Sequence, residues 1–285
     1  MRSFVVAAAI AAAAASAFAA DDPVAPAMEA YKAGDYAKAV ELASAVKTDD
    51  PARPRAAYVV GESNLMLEKW DDAQAAFKEI LDKKADSVPA LVGFGRAQIG
   101  KGANDDAITT LEKATKLDAK DAAARRSLGE AHLAKNETDK ALADLSAATK
   151  LDPKDPLASR SLTELLLKGD KTDAAQKEAS RLAAVIPDHP MGHFLAGYVF
   201  DKQKKIKDAI EEYEKAIAKD DKFIDAHKNL AILCVSQNPN YQDKDKTKKA
   251  LEHFKRYFEL GGKDEQLKQT YEQIKGFIEG KGGGK

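Results

Sequence analysis

Few residues in this chain have the chemistry to act as ligands or nucleophiles. There are five histidines and one cysteine, and three of them form a pattern: His193 and His227 are 34 residues apart, and Cys234 follows His227 by seven. Two imidazoles and a thiolate could hold zinc or copper. Equivalent positions on neighbouring helices, however, stand about 10 Å apart, which is too far for one shared ion. Both histidines are therefore expected to pack rather than ligate. Cys234 lies beside Leu230 and Leu233 and is expected to be buried and inert. His189 precedes Pro190 and falls outside the helix. The sequence has no Cys-x-x-Cys, His-Glu-x-x-His, Gly-x-Ser-x-Gly or phosphate-cradling glycine loop. The expectation is of no catalytic, metal or cofactor site, with an enzymatic or metal-carrying role on His193, His227 and Cys234 as the last alternative. Asn136-Glu137-Thr138 spells a glycosylation sequon, but it sits in a turn between helices behind a leader of bacterial type.

The elements that carry these residues repeat. Residues 190–223 read as two short amphipathic helices. Pro190 suits a first helical turn, where its missing N–H costs nothing. Phe194, Gly197 and Tyr198 follow at helical spacing, and after a charged turn Ile206, Ala209, Ile210, Tyr213, Ala216 and Ile217 recur at three and four residues. Stepping back from Ala209 by 34 residues lands on Ala175, Ala141, Ala107, Ala73 and Ala39. Twelve residues before each stand Gly197, Thr163, Gly129, Gly95, Gly61 and Ala27, and twelve after stand Asp221, Pro187, Pro153, Ala119, Ala85 and Pro51. Small residues at both anchors imply close approach of the two helix backbones. Isolated helices of this length are marginal in water, so each pair must lean on its neighbours.

This pattern resembles the tetratricopeptide repeat, a helix–turn–helix unit of about 34 residues. The match includes the small residue of helix A, the alanine of helix B and the large residue four later (Phe77, Leu111, Leu145, Tyr213). It departs at the family's usual Trp near the start of helix A, where Ala57, Leu91, Arg125, Ser159, His193 and His227 stand. The resemblance implies an all-α fold: a right-handed α-solenoid of about seven helix–turn–helix repeats with a C-terminal capping helix. It also implies a concave face built from helix A. The family's groove positions map to Tyr58 and Glu62, Val92 and Arg96, Arg126 and Glu130, Arg160 and Glu164, Phe194 and Tyr198, and Lys228 and Ile232. Arg126/Glu130 and Arg160/Glu164 can pair at four-residue spacing. Arg96, Arg126 and Arg160 would form a ladder, and Phe194 with Tyr198 an aromatic platform, for an extended peptide with acidic and apolar parts.

Residues 1–19 read as a cleavable leader. Arg2 is followed by an apolar run from Phe4 to Ala15, then by Ala17-Phe18-Ala19 before a cut near Ala19/Ala20. The run is too short for a membrane anchor, and no later stretch approaches a spanning length. The expected location is therefore periplasmic or secreted. Repeats are expected at 20–53, 54–87, 88–121, 122–155, 156–189, 190–223 and 224–262, with no linker between them. The first is truncated by Pro23 and Pro26, and the seventh is lengthened by an insertion at 237–246. A capping helix over 263–280, striped by Leu267, Tyr271, Ile274 and Ile278, precedes a disordered tail at 281–285. Without the leader the chain has 44 basic and 46 acidic residues, a balance that argues against a nucleic-acid partner. The expected function is a non-catalytic scaffold or peptide-binding adaptor of the cell envelope. The alternative is a self-assembling structural component.

Overall fold

The computed structural model describes residues 22–238 and 241–279. The expected leader at 1–19 and tail at 281–285 lie outside the described residues. The described residues form fifteen helices. The first eight are α1 (Ala25–Lys32), α2 (Tyr36–Ser44), α3 (Arg53–Met66), α4 (Trp70–Lys83), α5 (Val88–Gly100), α6 (Asn104–Leu117), α7 (Ala122–Ala134) and α8 (Thr138–Leu151). Then come α9 (Pro156–Lys168), α10 (Thr172–Val185), α11 (Met191–Lys202), α12 (Ile206–Lys219), α13 (Ile224–Ser236), α14 (Lys244–Glu259) and α15 (Glu265–Ile278). They make seven antiparallel pairs and a final cap. The chain divides into two compact parts, the first ending at Leu162 and the second starting at Thr163, within α9.

Each pair is held by a socket. Ala39, Ala73, Ala107, Ala141, Ala175 and Ala209 are all fully buried, as the periodicity requires. In repeats 2, 3, 4 and 6, one turn after the alanine, helix B points a large side chain at the glycine of helix A. A Cβ on Gly61 would lie 2.6 Å from the Phe77 ring, on Gly95 2.6 Å from Leu111, on Gly129 2.8 Å from Leu145 and on Gly197 2.7 Å from Tyr213. The expected backbone approach is present too: the same Cβ positions on Gly129 and Gly197 lie 3.3 and 3.2 Å from the carbonyl oxygens of Ala141 and Ala209. Where helix A carries Thr163 in place of Gly, helix B carries Ala179 in place of the large residue, and both are fully buried. The volume is exchanged across the seam, whereas in repeat 7 a buried Ala231 stands at the small position and a buried Phe254 at the large one. Each large side chain so enclosed contributes about 1.5–3 kcal/mol.

The turns repeat with the same period in the backbone. Gly34, Glu68, Gly102, Asn136, Asp170 and Lys204 are 34 apart and all have positive φ, between 55° and 80°. At each, two hydrogen bonds close the end of helix A. In repeat 2, Glu68 N–H donates to Leu65 O and Lys69 N–H to Asn64 O; in repeat 6, Lys204 N–H donates to Asp201 O and Lys205 N–H to Phe200 O. This is the Schellman arrangement, which satisfies the last carbonyls of a helix through one left-handed residue. Asn136 of the sequon therefore has a structural role, since Asn tolerates this conformation better than most residues.

The insertion in repeat 7 is organised by Asn238, which is buried. Its Nδ2 donates to Asp243 O and to Thr247 Oγ1, each at 2.8 Å, and its Oδ1 accepts from Asp243 N–H. Asp243 in turn caps α14 by accepting from the N–H groups of Asp245 and Lys246. The cap α15 buries Ile274 completely and packs Leu267 and Tyr271 on the core of the second part. Ile278, expected on the same stripe, is 41 % exposed instead, because the helix ends there.

Two substitutions test this account in opposite directions. A Cβ at Gly192 would sit 2.5 Å from the Ala183 Cα, backbone that cannot swing aside. Gly192→Ala should therefore cost about 1–3 kcal/mol in urea unfolding. Lys204→Gly relieves a left-handed lysine and should raise stability by about 1 kcal/mol.

Candidate functional site

The helix-A face of the first part is lined by ion pairs that run between repeats. Glu62 on α3 is 1 % exposed, and both its oxygens accept from Arg96 Nη1 of α5, at 2.9 and 3.0 Å. Burial works to lower the Arg96 pKa, and the Glu62 carboxylate outweighs it, so the guanidinium is held charged above its usual range. Tyr58, half-buried, lies edge-on to Phe77 at 5.7 Å between ring centres. The Tyr31 hydroxyl is buried without a hydrogen-bond partner. Burial first, and then the Glu62 carboxylate, pushes the phenols of Tyr31 and Tyr58 well above their ordinary value, against a smaller lowering by Arg96.

Arg126 on α7 is buried, and its strongest partner was not visible as a pair in the sequence. Its Nε lies 3.0 Å from Asp155 Oδ2, with side-chain exposures of 8 % and 7 %. That contact is an ion pair without hydrogen-bond alignment. Asp155 also accepts from the N–H groups of Leu157 and Ala158 at the start of α9. The expected i,i+4 partner, Glu130, is at 3.4 Å from Arg126 Nη1. On α9, Arg160 is half-buried and Glu164 is exposed.

In the second part Phe194 belongs to the core. It is 3 % exposed and packs edge-on to Phe223 at 5.3 Å and tilted on Tyr213 at 5.9 Å. Tyr198 is the half-exposed member of the aromatic pair. It is stacked parallel on Phe194 at 6.4 Å, and Lys202 Nζ lies 5.2 Å from its ring centre. Lys228 lies 3.6 Å from Asp264, which caps α15.

The position where the family usually has Trp carries a polar cross-helix pair in three repeats. Arg125 donates to Asp144 at 3.0 Å, and His193 Nδ1 lies 2.8 Å from Glu212. His227 Nδ1 lies 2.9 Å from His253 Nδ1. His253 escaped the sequence reading because the insertion moves it seven residues out of phase. Cys234 is 2 % exposed, and burial raises its thiol pKa. Among the described residues no three His, Cys, Asp or Glu side chains converge on a metal-sized site.

The chain belongs to the tetratricopeptide repeat family: the family model matches residues 24–88, 92–156 and 164–222. Proteins of this family are generally non-catalytic and work through contacts with other proteins. The fold is similar to that of yeast Tom70, with a TM-score of 0.70 at 15 % identity over 93 % of this chain and 59 % of that one. It is also similar to a tetratricopeptide repeat protein from Parabacteroides merdae, with 0.63 at 13 % identity over 88 % and 97 %. For the APC/C hetero-tetramer Cut9–Hcn1 the TM-score is 0.63 at 16 % identity over 87 % of this chain, which spans 48 % of the length of that one. No curated protein matches the sequence.

The Glu62–Arg96 pair yields a direct test. Glu62→Leu leaves a largely buried guanidinium without its counter-charge and should cost about 3 kcal/mol. Adding Arg96→Met should restore most of the loss, read as a double-mutant cycle in urea.

Proposed function

We propose that the chain is a non-catalytic protein–protein interaction scaffold of the cell envelope, holding an extended segment of a partner on its helix-A faces. The observation that carries this reading is the exposure pattern. Tyr58, Arg96, Arg160, Tyr198 and Lys228, all at groove positions, are partly open to solvent, while the seam of each repeat is closed. The first part thus offers guanidinium and phenol donors, and the second a phenol and an ammonium beside a ring face; each set suits acidic and apolar side chains on an extended peptide. Arg96 and Arg126 reach that face already tied to Glu62 and Asp155. They are pre-ordered, and less side-chain entropy is lost when a partner binds. The envelope location rests on the leader-like residues 1–19.

Site-specific photo-crosslinking tests the face. A crosslinking residue at Tyr198 or at Arg160 should trap a partner from an envelope extract, and one at the exposed helix-B position Lys116 should not. Equal trapping from all three positions overturns the reading. Mass spectrometry of the native protein should find Ala20 as its first residue; an intact Met1 removes the envelope assignment.

A further inference from the structure

Repeat 7 contains a polar pair that its sister repeats do not prepare for. In repeats 4 and 6 the helix-A residue at this position is Arg125 or His193, and helix B answers with a carboxylate, Asp144 or Glu212. In repeat 7 both partners are imidazoles: His227 of α13, 3 % exposed, and His253 of α14, with ring centres 5.1 Å apart. The hydrogen bonds fix their protons. His227 Nε2 lies 3.0 Å from the Asp221 carbonyl oxygen, which can only accept, so Nε2 carries the proton. The Nδ1 of that neutral ring is then an acceptor, and His253 Nδ1–H donates to it across 2.9 Å. A chain of two hydrogen bonds thus links the α12–α13 junction, α13 and α14.

We propose that this pair is a pH-operated latch on the last repeat, closed when both rings are neutral, weakened when one proton is taken up among buried neighbours, and opened when both rings are protonated. With both rings protonated, two N–H groups would stand face to face at hydrogen-bond distance, with no acceptor between them. A proton on the outer nitrogen of His253 would place an imidazolium against a buried neighbour.

The carboxylates around the pair are mostly engaged elsewhere: Asp221 Oδ1 stands 4.0 Å from His227 Nε2 and works to raise its pKa, but burial outweighs it. Glu214 of α12 pairs with Lys249 of α14, and Asp221 of the junction pairs with Arg256 of α14. Glu252, also on α14, acts on His227 more weakly than Arg256 does. Burial, and then His227 and Lys249, lowers the His253 pKa to about 4, and burial lowers that of His227 as well. Both shifts are downward from about 6.5. The latch is therefore complete above pH 6.5 and is lost as the pH falls from there towards 4.

The test is hydrogen exchange at pH 7.5 and pH 5, corrected for intrinsic rates, on the full chain. For His253 alone the shift predicts that opening of α13–α14 rises roughly 20–30-fold at pH 5, while α11–α12 stays nearly unchanged. His253→Glu rebuilds the His–Glu pair of repeat 6 and should abolish the acceleration, because a protonated His227 then has a counter-charge. An equal acceleration in the variant, or none in the wild type, overturns the proposal. Should the variant fail to fold, histidine NMR on the wild type decides. Titration of His253 below pH 5 together with the exchange change supports the latch, and titration of both rings near 6.5 refutes it.

Discussion

The structure depends on a volume constraint at one point in each repeat: a small residue on helix A must receive whatever helix B projects one turn after its buried alanine. The glycines at 61, 95, 129 and 197 leave no room for even a Cβ against Phe77, Leu111, Leu145 and Tyr213. In repeat 5 Thr163 stands for Gly and Ala179 for the large residue, so added volume on one helix is met by lost volume on the other. Packing at interior density makes such sites intolerant of a single added carbon. The same fit fixes how far apart the two helices stand, and so where the groove residues of helix A emerge.

Charge is handled by a second layer of the same logic. Glu62, Arg126 and Asp155 are nearly or fully buried, and leaving any of them unpaired would be costly. Their partners come from a neighbouring repeat or junction, so the pairs fasten one hairpin to the next along the helix-A face. A face that looks like a line of binding arginines is therefore partly mortar. Of the arginines at groove positions in the first part, Arg96 and Arg160 keep a half-open rim towards solvent.

The period, the seam and the number of hairpins were legible in the sequence because they rest on one residue type at a fixed interval. The left-handed turn positions were not, although they keep the same interval. Gly34, Glu68, Gly102, Asn136, Asp170 and Lys204 share a backbone angle and no side-chain chemistry, so composition is silent about them. Partners distant along the chain were equally hidden. Arg126 reaches Asp155 as well as Glu130, across a loop that no spacing rule predicts, and His227 meets His253 only after an insertion has shifted the phase. The depth of Phe194 was hidden for a different reason: it stacks on Tyr198 as expected, yet is 3 % exposed. It occupies a groove position by count, but an aromatic beside Phe223 and Tyr213 gains more by joining them in the core than by facing water.

Cys234 has a consequence of its own. It is the single thiol in the chain, 2 % exposed on α13, with its ionisation suppressed by burial. An alkylating reagent can reach it while the C-terminal hairpin is transiently apart and is shut out otherwise. The molecule thus contains a built-in stopwatch: the rate at which this native sulfur is capped counts the openings of one hairpin, with no substitution introduced beforehand.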